Sequence, residues 1–172
     1  MTDIFPKDFE SGPRPVLLVD TREQAPLVFR NLPSEVASLT TGDYSIRSLE
    51  DHFQIERKTP QDFVGCCVGD SRARFERELA RMRGARFRRL LIIGCEAHFT
   101  TQRYRGNLTP RSVLATLSAF EARYDLPVVY SPSPEAGALL IERWAAWFVR
   151  EQLKIGEALG KACAMPQPAA TP

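Results

Sequence analysis

Three acidic residues and one lysine lie where neighbouring strands could bring their side chains together. Asp20 closes a short apolar run, Asp43 follows a glycine, and Glu56 and Lys58 lie in a segment that alternates between apolar and polar residues. Side chains at i and i+2 share one face of a strand, so Glu56 and Lys58 project together while Arg57 points away. Asp43 joins them if its strand pairs with theirs. The spacing therefore predicts two or three carboxylates and one ammonium group at one point.

This combination is the minimum equipment for metal-assisted hydrolysis of a phosphodiester. Adjacent carboxylates repel each other unless a hard cation lies between them, and sets of oxygen ligands suit Mg²⁺ or Mn²⁺. A lysine beside such an ion can deprotonate or orient a water molecule, and it can stabilise charge that develops on a phosphate. Glu-x-Lys also occurs in exposed strands as a salt bridge worth less than about 1 kcal/mol. Taken alone, the spacing fits either interpretation.

Short strands and one hairpin are predicted to position the acids. A turn at Gly42, where a positive φ is expected, joins the two strands of the hairpin. Apolar runs that lack polar residues indicate strands buried on both faces. The predicted strands are Val16–Val19, the hairpin pair Val36–Leu39 and Asp43–Ile46, His52–Lys58, Leu90–Ile93 and Val128–Tyr130.

Four helices are predicted from capping residues and from apolar side chains at helical spacing. Thr59 and Ser71 are the expected N-caps of the first two helices, and the other two helices are expected to begin at Thr109-Pro110 and Ser133-Pro134. The expected core residues of the last three helices are Phe75, Leu79 and Met82; Val113, Leu117, Phe120 and Tyr124; and Leu140, Trp144, Trp147 and Phe148. The second helix ends at Gly84 and carries Arg74, Arg77 and Arg81 on a separate face. Alternating helices and strands indicate a mixed α/β sheet covered by helices.

Length and composition indicate one ordinary globular domain. The chain has 172 residues, of which 44% are hydrophobic and 26% are charged, and its formal net charge is +2. It contains no apolar run long enough for a membrane span, and its first residues lack the apolar core of a secretory signal. The cysteines and histidines lack the spacing of a zinc site. The expected organisation is a flexible arm over residues 1–13, a single domain over 14–156 and a disordered tail over 157–172.

The positive charge is concentrated in one part of the sequence. Between Asp70 and Arg111 there are 11 arginines and four acids, a net charge of +7, so the rest of the chain carries −5. Such a segment indicates either an anionic partner or a solvated face. Because it directly follows the acids and the lysine, we expect it to track the backbone of a nucleic acid.

Four segments together resemble one known family. The strings VDTREQ, TGDYSI, IERKTPQD and SRARFERELARM are similar to the XPF-type nuclease domain family (excision-repair cross-complementing group four). The family signature is Gly-Asp, a variable gap, Glu-Arg-Lys, three residues and Asp. Here it stands complete as Gly42-Asp43, Glu56-Arg57-Lys58 and Asp62. The similarity extends over roughly residues 14–152, which is nearly all of the expected domain.

The resemblance implies a fold and a catalytic centre. The fold is restriction-endonuclease-like, of the PD-(D/E)XK type, with a mixed central sheet flanked by helices. The implied catalytic residues are Asp20, Asp43, Glu56 and Lys58. The implied ligands of Mg²⁺ or Mn²⁺ are Asp20, Asp43, Glu56 and the backbone carbonyl of Arg57.

The resemblance also implies supporting and DNA-binding residues. Supporting roles fall to Arg22, Glu23, Arg57 and Asp62, and we expect Arg57 to pair with an acid such as Glu23 beneath the site. Asp62 is equally a helix-start carboxylate that stabilises the helix dipole. Arg74 matches an arginine expected to contact phosphate, with Arg77 and Arg81 aligned beside it.

The implied function is a divalent-metal-dependent DNA endonuclease of repair or recombination, selective for branched or flap DNA. DNA is the expected binding partner, and a homodimer or a heterodimer is the expected assembly. The chain is too short for the helicase or helix-hairpin-helix module of many family members, so a helicase or another DNA-targeting protein is an expected partner. The alternatives are a non-catalytic DNA-binding or scaffolding subunit and a restriction-type nuclease. Retention of all the acids argues against a non-catalytic subunit. The expected location is the cytoplasm, at the nucleoid in a prokaryote, or the nucleus in a eukaryote.

Overall fold

The computed structural model describes residues 5–7 and 14–163, which form one sheet and five helices. The predicted arm over 1–13 and the end of the predicted tail, from residue 164, lie largely outside the described residues. The strands are β1 (Leu17–Asp20), β2 (Ser34–Ala37), β3 (Tyr44–Ile46), β4 (Phe53–Lys58), β5 (Phe87–Ile93) and β6 (Val128–Ser131). The helices are α1 (Pro60–Gly65), α2 (Gly69–Met82), α3 (Ala97–Thr100), α4 (Pro110–Tyr124) and α5 (Pro134–Ala162).

The six strands form a mixed sheet in the order β2-β1-β3-β4-β5-β6. β3 pairs antiparallel with both β1 and β4, whereas β4, β5 and β6 run parallel to one another. Parallel neighbours need crossover connections, and helices supply them here. The predicted mixed α/β sheet flanked by helices is confirmed.

The predicted hairpin between the second and third strands is wrong. β2 pairs in parallel with β1, with Leu17 opposite Ser34, and β3 pairs with the other edge of β1. β1 is buried at every position, so both of its edges need a hydrogen-bonded partner. Val36, 72% exposed, lies in β2 at the edge of the sheet.

The turn at Gly42 has the predicted positive φ, at 78°. A Cβ atom added there would lie 3.1 Å from the carbonyl oxygen of Ile55. A glycine therefore serves two needs at this position, because it adopts the left-handed conformation and lets the backbone approach β4 closely.

The predicted N-cap at Thr59 and the predicted starts of the last two helices are confirmed. The hydroxyls of Thr59, Thr109 and Ser133 each accept a backbone hydrogen bond at the start of α1, α4 and α5. The predicted cap at Ser71 is wrong, because α2 begins two residues earlier and the Arg72 N–H already bonds to the carbonyl of Val68 at 3.2 Å. α2 also ends at Met82, ahead of the predicted stop at Gly84.

Two hydrophobic cores lie on opposite faces of the sheet. On one face α1, α2 and α4 cover β5, with Phe63, Leu79 and Phe120 fully buried. On the other face α5 covers β1, β3 and β4, with Ile55 and Ile141 fully buried. The sheet is therefore the middle of three layers, and its carboxyl-end loops are held from both sides.

The core face of α5 is rotated from the prediction. Gly137, Ala138, Ile141 and Ala145 face the sheet, while Trp147 is 42% exposed. The helix approaches closely because a Cβ atom at Gly137 would lie 2.7 Å from Ile93 Cδ1. The predicted stripe of Leu140, Trp144 and Phe148 packs only partly buried beside that contact.

α5 continues to Ala162, past the boundary expected after residue 156. Within the described residues, no helix has the length and hydrophobicity of a membrane-spanning segment.

A buried carboxylate ties α5 to the connection between β1 and β2. Glu142 is 1% exposed, and its Oε1 accepts hydrogen bonds from the backbone N–H groups of Arg30, Asn31 and Leu32 at 2.6–3.0 Å. Its Oε2 accepts a fourth from the Asn31 side-chain amide at 2.6 Å. The otherwise irregular segment is fixed by this single side chain.

We predict that Glu142→Ala lowers the free energy of unfolding by about 3 kcal/mol, because it leaves several buried N–H groups without an acceptor. Glu142→Gln should lose less, since its carbonyl oxygen still accepts. Urea denaturation measures both, and Glu151→Ala on the exposed part of the same helix is the control. Equal losses for Glu142→Ala and Glu151→Ala would show that the buried carboxylate fixes nothing.

Candidate active site

Strand pairing brings Asp43 and Glu56 side by side. Tyr44 lies opposite Ile55 in the antiparallel pair, so the preceding and following residues, Asp43 and Glu56, also face each other. The Asp43 N–H donates to the Ile55 carbonyl at 2.8 Å, and the Arg57 N–H donates to Asp43 Oδ2 at 2.7 Å. Both acids lie at the end of the sheet where α1 begins. The predicted meeting of Asp43 with the β4 acid is confirmed.

Glu56 and Lys58 share one face of β4, as predicted. Lys58 Nζ forms a close ion pair with Glu56 Oε1. Glu56 is only 1% exposed, and its second oxygen, Oε2, is buried without a hydrogen-bond partner among the described residues. Lys58 Nζ also lies 5.1 Å from the ring centre of Phe75 on α2. Lysine thus neutralises one carboxylate oxygen. The other is a buried acceptor that a cation or a hydrogen-bond donor would stabilise.

Burial and proximity perturb the ionisation of these groups. Burial raises the pKa of Asp43 to about 6, although Lys58 and the Arg57 N–H oppose the shift. Burial and the neighbouring Asp43 raise the pKa of Glu56 well above its usual range. Burial alone would lower the pKa of Lys58, but Glu56 and Asp43 raise it. The lysine therefore stays an ammonium group, whereas burial and mutual repulsion disfavour the ionised forms of the two carboxylates.

Asp20 reaches the same end of the sheet but is held by other partners. Its N–H donates to the Asp43 carbonyl at 2.9 Å. Its carboxylate accepts from the Arg22 N–H and Nε, both at 2.7 Å, and from the Leu39 N–H at 2.7 Å. Burial would raise the pKa of Asp20, but the Arg22 and Leu39 hydrogen bonds lower it overall. In this arrangement Asp20 stabilises the turn that follows β1.

Arg57 and Glu23 form the predicted pair on the opposite face of the sheet. Arg57 Nε and Nη2 donate to the two Glu23 oxygens at 2.9 and 2.8 Å. Both side chains are largely buried. This bidentate geometry ties the turn after β1 to the end of β4.

Asp62 lies at the rim of the site, in the first turn of α1. Its N–H donates to the Thr59 hydroxyl at 3.2 Å, and Thr59 donates back to Asp62 Oδ2 at 2.7 Å. The side chain is exposed, and it lines a groove of about 480 Å³ together with Lys58, Gln61, Cys66, Arg74 and Glu78. The groove leads from the surface to the buried ion pair.

The three predicted arginines of α2 are all exposed. Arg74 lines the groove, and Arg81 Nε donates to the Thr41 hydroxyl at 3.4 Å, beside the Gly42 turn. Two later arginines of the basic segment lie far from the groove. Arg88 pairs with Asp125 at the amino end of β5, and Arg89 lies 4.2 Å from the Phe87 ring centre. The α2 part of the basic segment therefore borders the site, and the backbone of Arg105 bonds to the groove residue Gln61.

Glu78 is a site residue that the sequence patterns did not reveal. It lines the groove, and its charge helps to raise the pKa values of Asp43 and Glu56. The only signal is its position on α2, one turn from Arg74 and from Arg81. From the sequence, that position lies at the border between an apolar and a basic face of the helix. Helix periodicity does not show which strand a helix covers, so it does not place Glu78 near the acids.

The acidic side chains of the site do not by themselves form a complete set of metal ligands. Within the described residues, no three His, Cys, Asp or Glu side chains converge as a metal site. The adjacent oxygens are those of Asp43 and Glu56. The N–H of Arg57 points to Asp43, and the N–H and C=O of one strand residue point to the same side, so the Arg57 carbonyl faces the same edge. With the unpartnered Glu56 Oε2, this hard-oxygen set fits a divalent cation.

Comparisons with known proteins agree with this architecture. A family model of the ERCC4 domain matches residues 19–143. The chain is similar to the solved structure of XPF from Aeropyrum pernix, with 24% identity and a TM-score of 0.62, over 83% of this chain and 69% of that one. It is also similar to XPF from Aeropyrum pernix in complex with DNA, with 25% identity and a TM-score of 0.63, over 80% of this chain and 66% of that one. No curated protein sequence matches. The predicted restriction-endonuclease-like fold is confirmed.

We predict that Asp43→Asn raises the free energy of unfolding by about 1–2 kcal/mol at pH 8 without divalent ions, since it removes a carboxylate whose ionisation opposes folding. The pKa of Asp43 is higher in the folded chain, so its penalty is complete above about pH 6 and disappears as the pH falls towards 4. The gain should shrink over that range. Denaturant titrations at several pH values measure it.

The control for this prediction is Asp51→Asn, which removes an exposed carboxylate near the start of β4. Added Mn²⁺ should raise the melting temperature of the unmodified chain more than that of Asp43→Asn. A loss of stability in Asp43→Asn at pH 8 would contradict the electrostatic interpretation.

Proposed function

The chain belongs to the ERCC4 domain family, and on that basis we propose that it is a divalent-metal-dependent DNA endonuclease whose nuclease domain spans about residues 14–156. The family match and the likeness to XPF, one example of which is a DNA complex, support a nuclease that acts in DNA repair. The proposal goes further, to hydrolysis of branched or flap DNA during repair or recombination. Its main support is the juxtaposition of Asp43, Glu56 and Lys58 at the head of a groove.

The residues present fit a divalent ion. Asp43, Glu56 and the Arg57 carbonyl are the proposed ligands, and the buried, unpartnered Glu56 Oε2 supports that assignment. Asp20 is the further proposed ligand, and it can bind only if one of its oxygens releases Arg22 or Leu39. A bound Mg²⁺ or Mn²⁺ supplies neutralisation of charge on the phosphate and a lowered pKa for water.

Lys58 is the proposed catalytic cation. The Glu56 and Asp43 carboxylates raise the pKa of Lys58 and favour its ammonium form, so the role assigned to it is that of a hydrogen-bond donor. The ammonium group orients the attacking water and stabilises the negative charge that develops on the phosphate oxygens. Its ion pair with Glu56 and the ring of Phe75 restrict where it can point.

The groove and the face of α2 form the proposed DNA contact. Arg74 lines the groove beside Lys58, and Arg77 and Arg81 continue along the same helix. Guanidinium groups neutralise successive phosphates and hold the strand in register without reading its sequence. Glu78, between them, repels phosphate locally, and that repulsion keeps the strand away from the acids until positive charge is added there.

The first test is DNA cleavage. Purified chain with Mg²⁺ or Mn²⁺ should cut branched or flap DNA in preference to plain duplex and single strands. Glu56→Gln and Lys58→Ala should each lower the rate about 100-fold or more, while Glu50→Gln, in an exposed turn, should not. Gel assays of labelled strands give the rates. Undiminished cleavage by Glu56→Gln would refute the assigned centre, and DNA binding without cleavage in any metal would favour a scaffolding subunit.

The second test is the salt dependence of DNA binding. Arg74→Ala and Arg77→Ala should each weaken binding and reduce the slope of log K against log salt by about 1, since each removes one phosphate contact. Fluorescence anisotropy at several salt concentrations measures the slope. Arg86→Ala, which removes the same charge near the amino end of β5, is the matched control. If all three variants lose the same slope, α2 is not the contact face.

A further inference from the structure

The residues that follow the candidate acids form a second network on the opposite face of the sheet. Side chains alternate along a strand, so Tyr44 and Arg57 face away from Asp43 and Glu56. Tyr44 is fully buried and belongs to the core beneath α5. Glu23, from the turn after β1, reaches the same face. The ends of β1, β3 and β4 carry acids on one face of the sheet, and polar groups join the same strand ends on the other face.

Tyr44 lies at the centre of this network. Its hydroxyl accepts a hydrogen bond from the Leu27 N–H at 3.0 Å and donates to Glu23 Oε2 at 3.4 Å. Glu23 in turn receives both guanidinium donors of Arg57. The ring of Tyr44 packs edge-on against Phe29, with centroids 5.7 Å apart, and this contact fixes the direction of the hydroxyl.

The network ends on the candidate catalytic acid. The backbone N–H of Arg57 is the donor to Asp43 Oδ2, so the position of Arg57 sets the orientation of that carboxylate. Arg57 lies next to the end of β4, where its side chain pairs with Glu23 and its backbone lies opposite Leu91 of β5. Displacements of about 1 Å in a catalytic group are enough to change rates by about 100-fold.

We propose that the Tyr44 hydroxyl is a positioning group that, through Glu23 and Arg57, holds Asp43 in register with Glu56. The catalytic part of this inference rests on the proposed nuclease function. The positioning part concerns the geometry of the chain itself and can be measured separately.

The test uses Tyr44→Phe, which removes the hydroxyl and keeps the ring. Ser45→Ala is the matched control, because it removes a buried hydroxyl of the same strand, bonded to the Phe53 carbonyl at 2.6 Å, outside the network. Tyr44→Phe should speed hydrogen exchange at the Arg57 amide several-fold and lower kcat for DNA cleavage about tenfold, with KM unchanged. Ser45→Ala should change neither beyond its effect on overall stability.

Glu23→Gln and the double variant with Tyr44→Phe complete the test. If both residues act through one network, the double variant loses little more activity than the worse single variant. Equal exchange at Arg57 in Tyr44→Phe and Ser45→Ala would overturn the proposal. If Tyr44→Phe fails to fold, exchange at Arg57 in Glu23→Gln decides between the same two results. If the unmodified chain cuts no DNA, the function proposal fails, and the exchange result still decides the positioning role.

Discussion

The close placement of two carboxylates at one end of the sheet, one fully buried and one half-buried, is the constraint on which the rest of the site depends. Asp43 and Glu56 face each other across an antiparallel pair, in surroundings that penalise their ionised forms. Lys58 balances one of the two charges, and the Arg57 N–H gives Asp43 a donor. These contacts reduce the penalty without removing it, since Glu56 Oε2 keeps no partner among the described residues. A fold retains such a defect where the site has a use for it.

The sheet meets this constraint by dividing tasks between its two faces. One face carries the charged groups and opens to the groove beneath α1 and α2. Each face also holds a hydrophobic core, and the face beneath α5 adds the bonded set of Glu23, Tyr44 and Arg57. Glu142 extends the same logic, because it fixes the segment that leads from Glu23 to β2. The hydrogen-bonded groups beneath α5 therefore fix the strand ends whose acids repel one another on the opposite face.

The parts that were predictable from sequence are those set by local rules. Alternation places Glu56 with Lys58 and turns Arg57 to the opposite face, and side-chain caps fix the starts of α1, α4 and α5. The pairing of Arg57 with Glu23 was expected together with the roles that the family resemblance implies. Strand pairing is not set by local rules, because β2 pairs with β1, whose free edge it supplies with hydrogen bonds, and not with β3, the next strand in the sequence. Glu78 joins the site for a similar reason, since the placement of α2 depends on the core that it shares with α1, α4 and β5. Short-range patterns cannot report such long-range choices.

The fold, and not the order of the sequence, determines which arginines of the basic segment lie near the acids. The basic segment is split: its first arginines lie along α2 beside the groove, while Arg88 and Arg89 are engaged at the far end of β5. At the site itself, the acids outnumber the single lysine, so a phosphate is attracted by α2 and repelled by Asp43, Glu56 and Glu78. In the function proposed above, positive charge added at the acids removes that repulsion, and DNA bound along α2 brings phosphate oxygens towards that charge. Because linkage is reciprocal, cation and DNA should each strengthen the binding of the other.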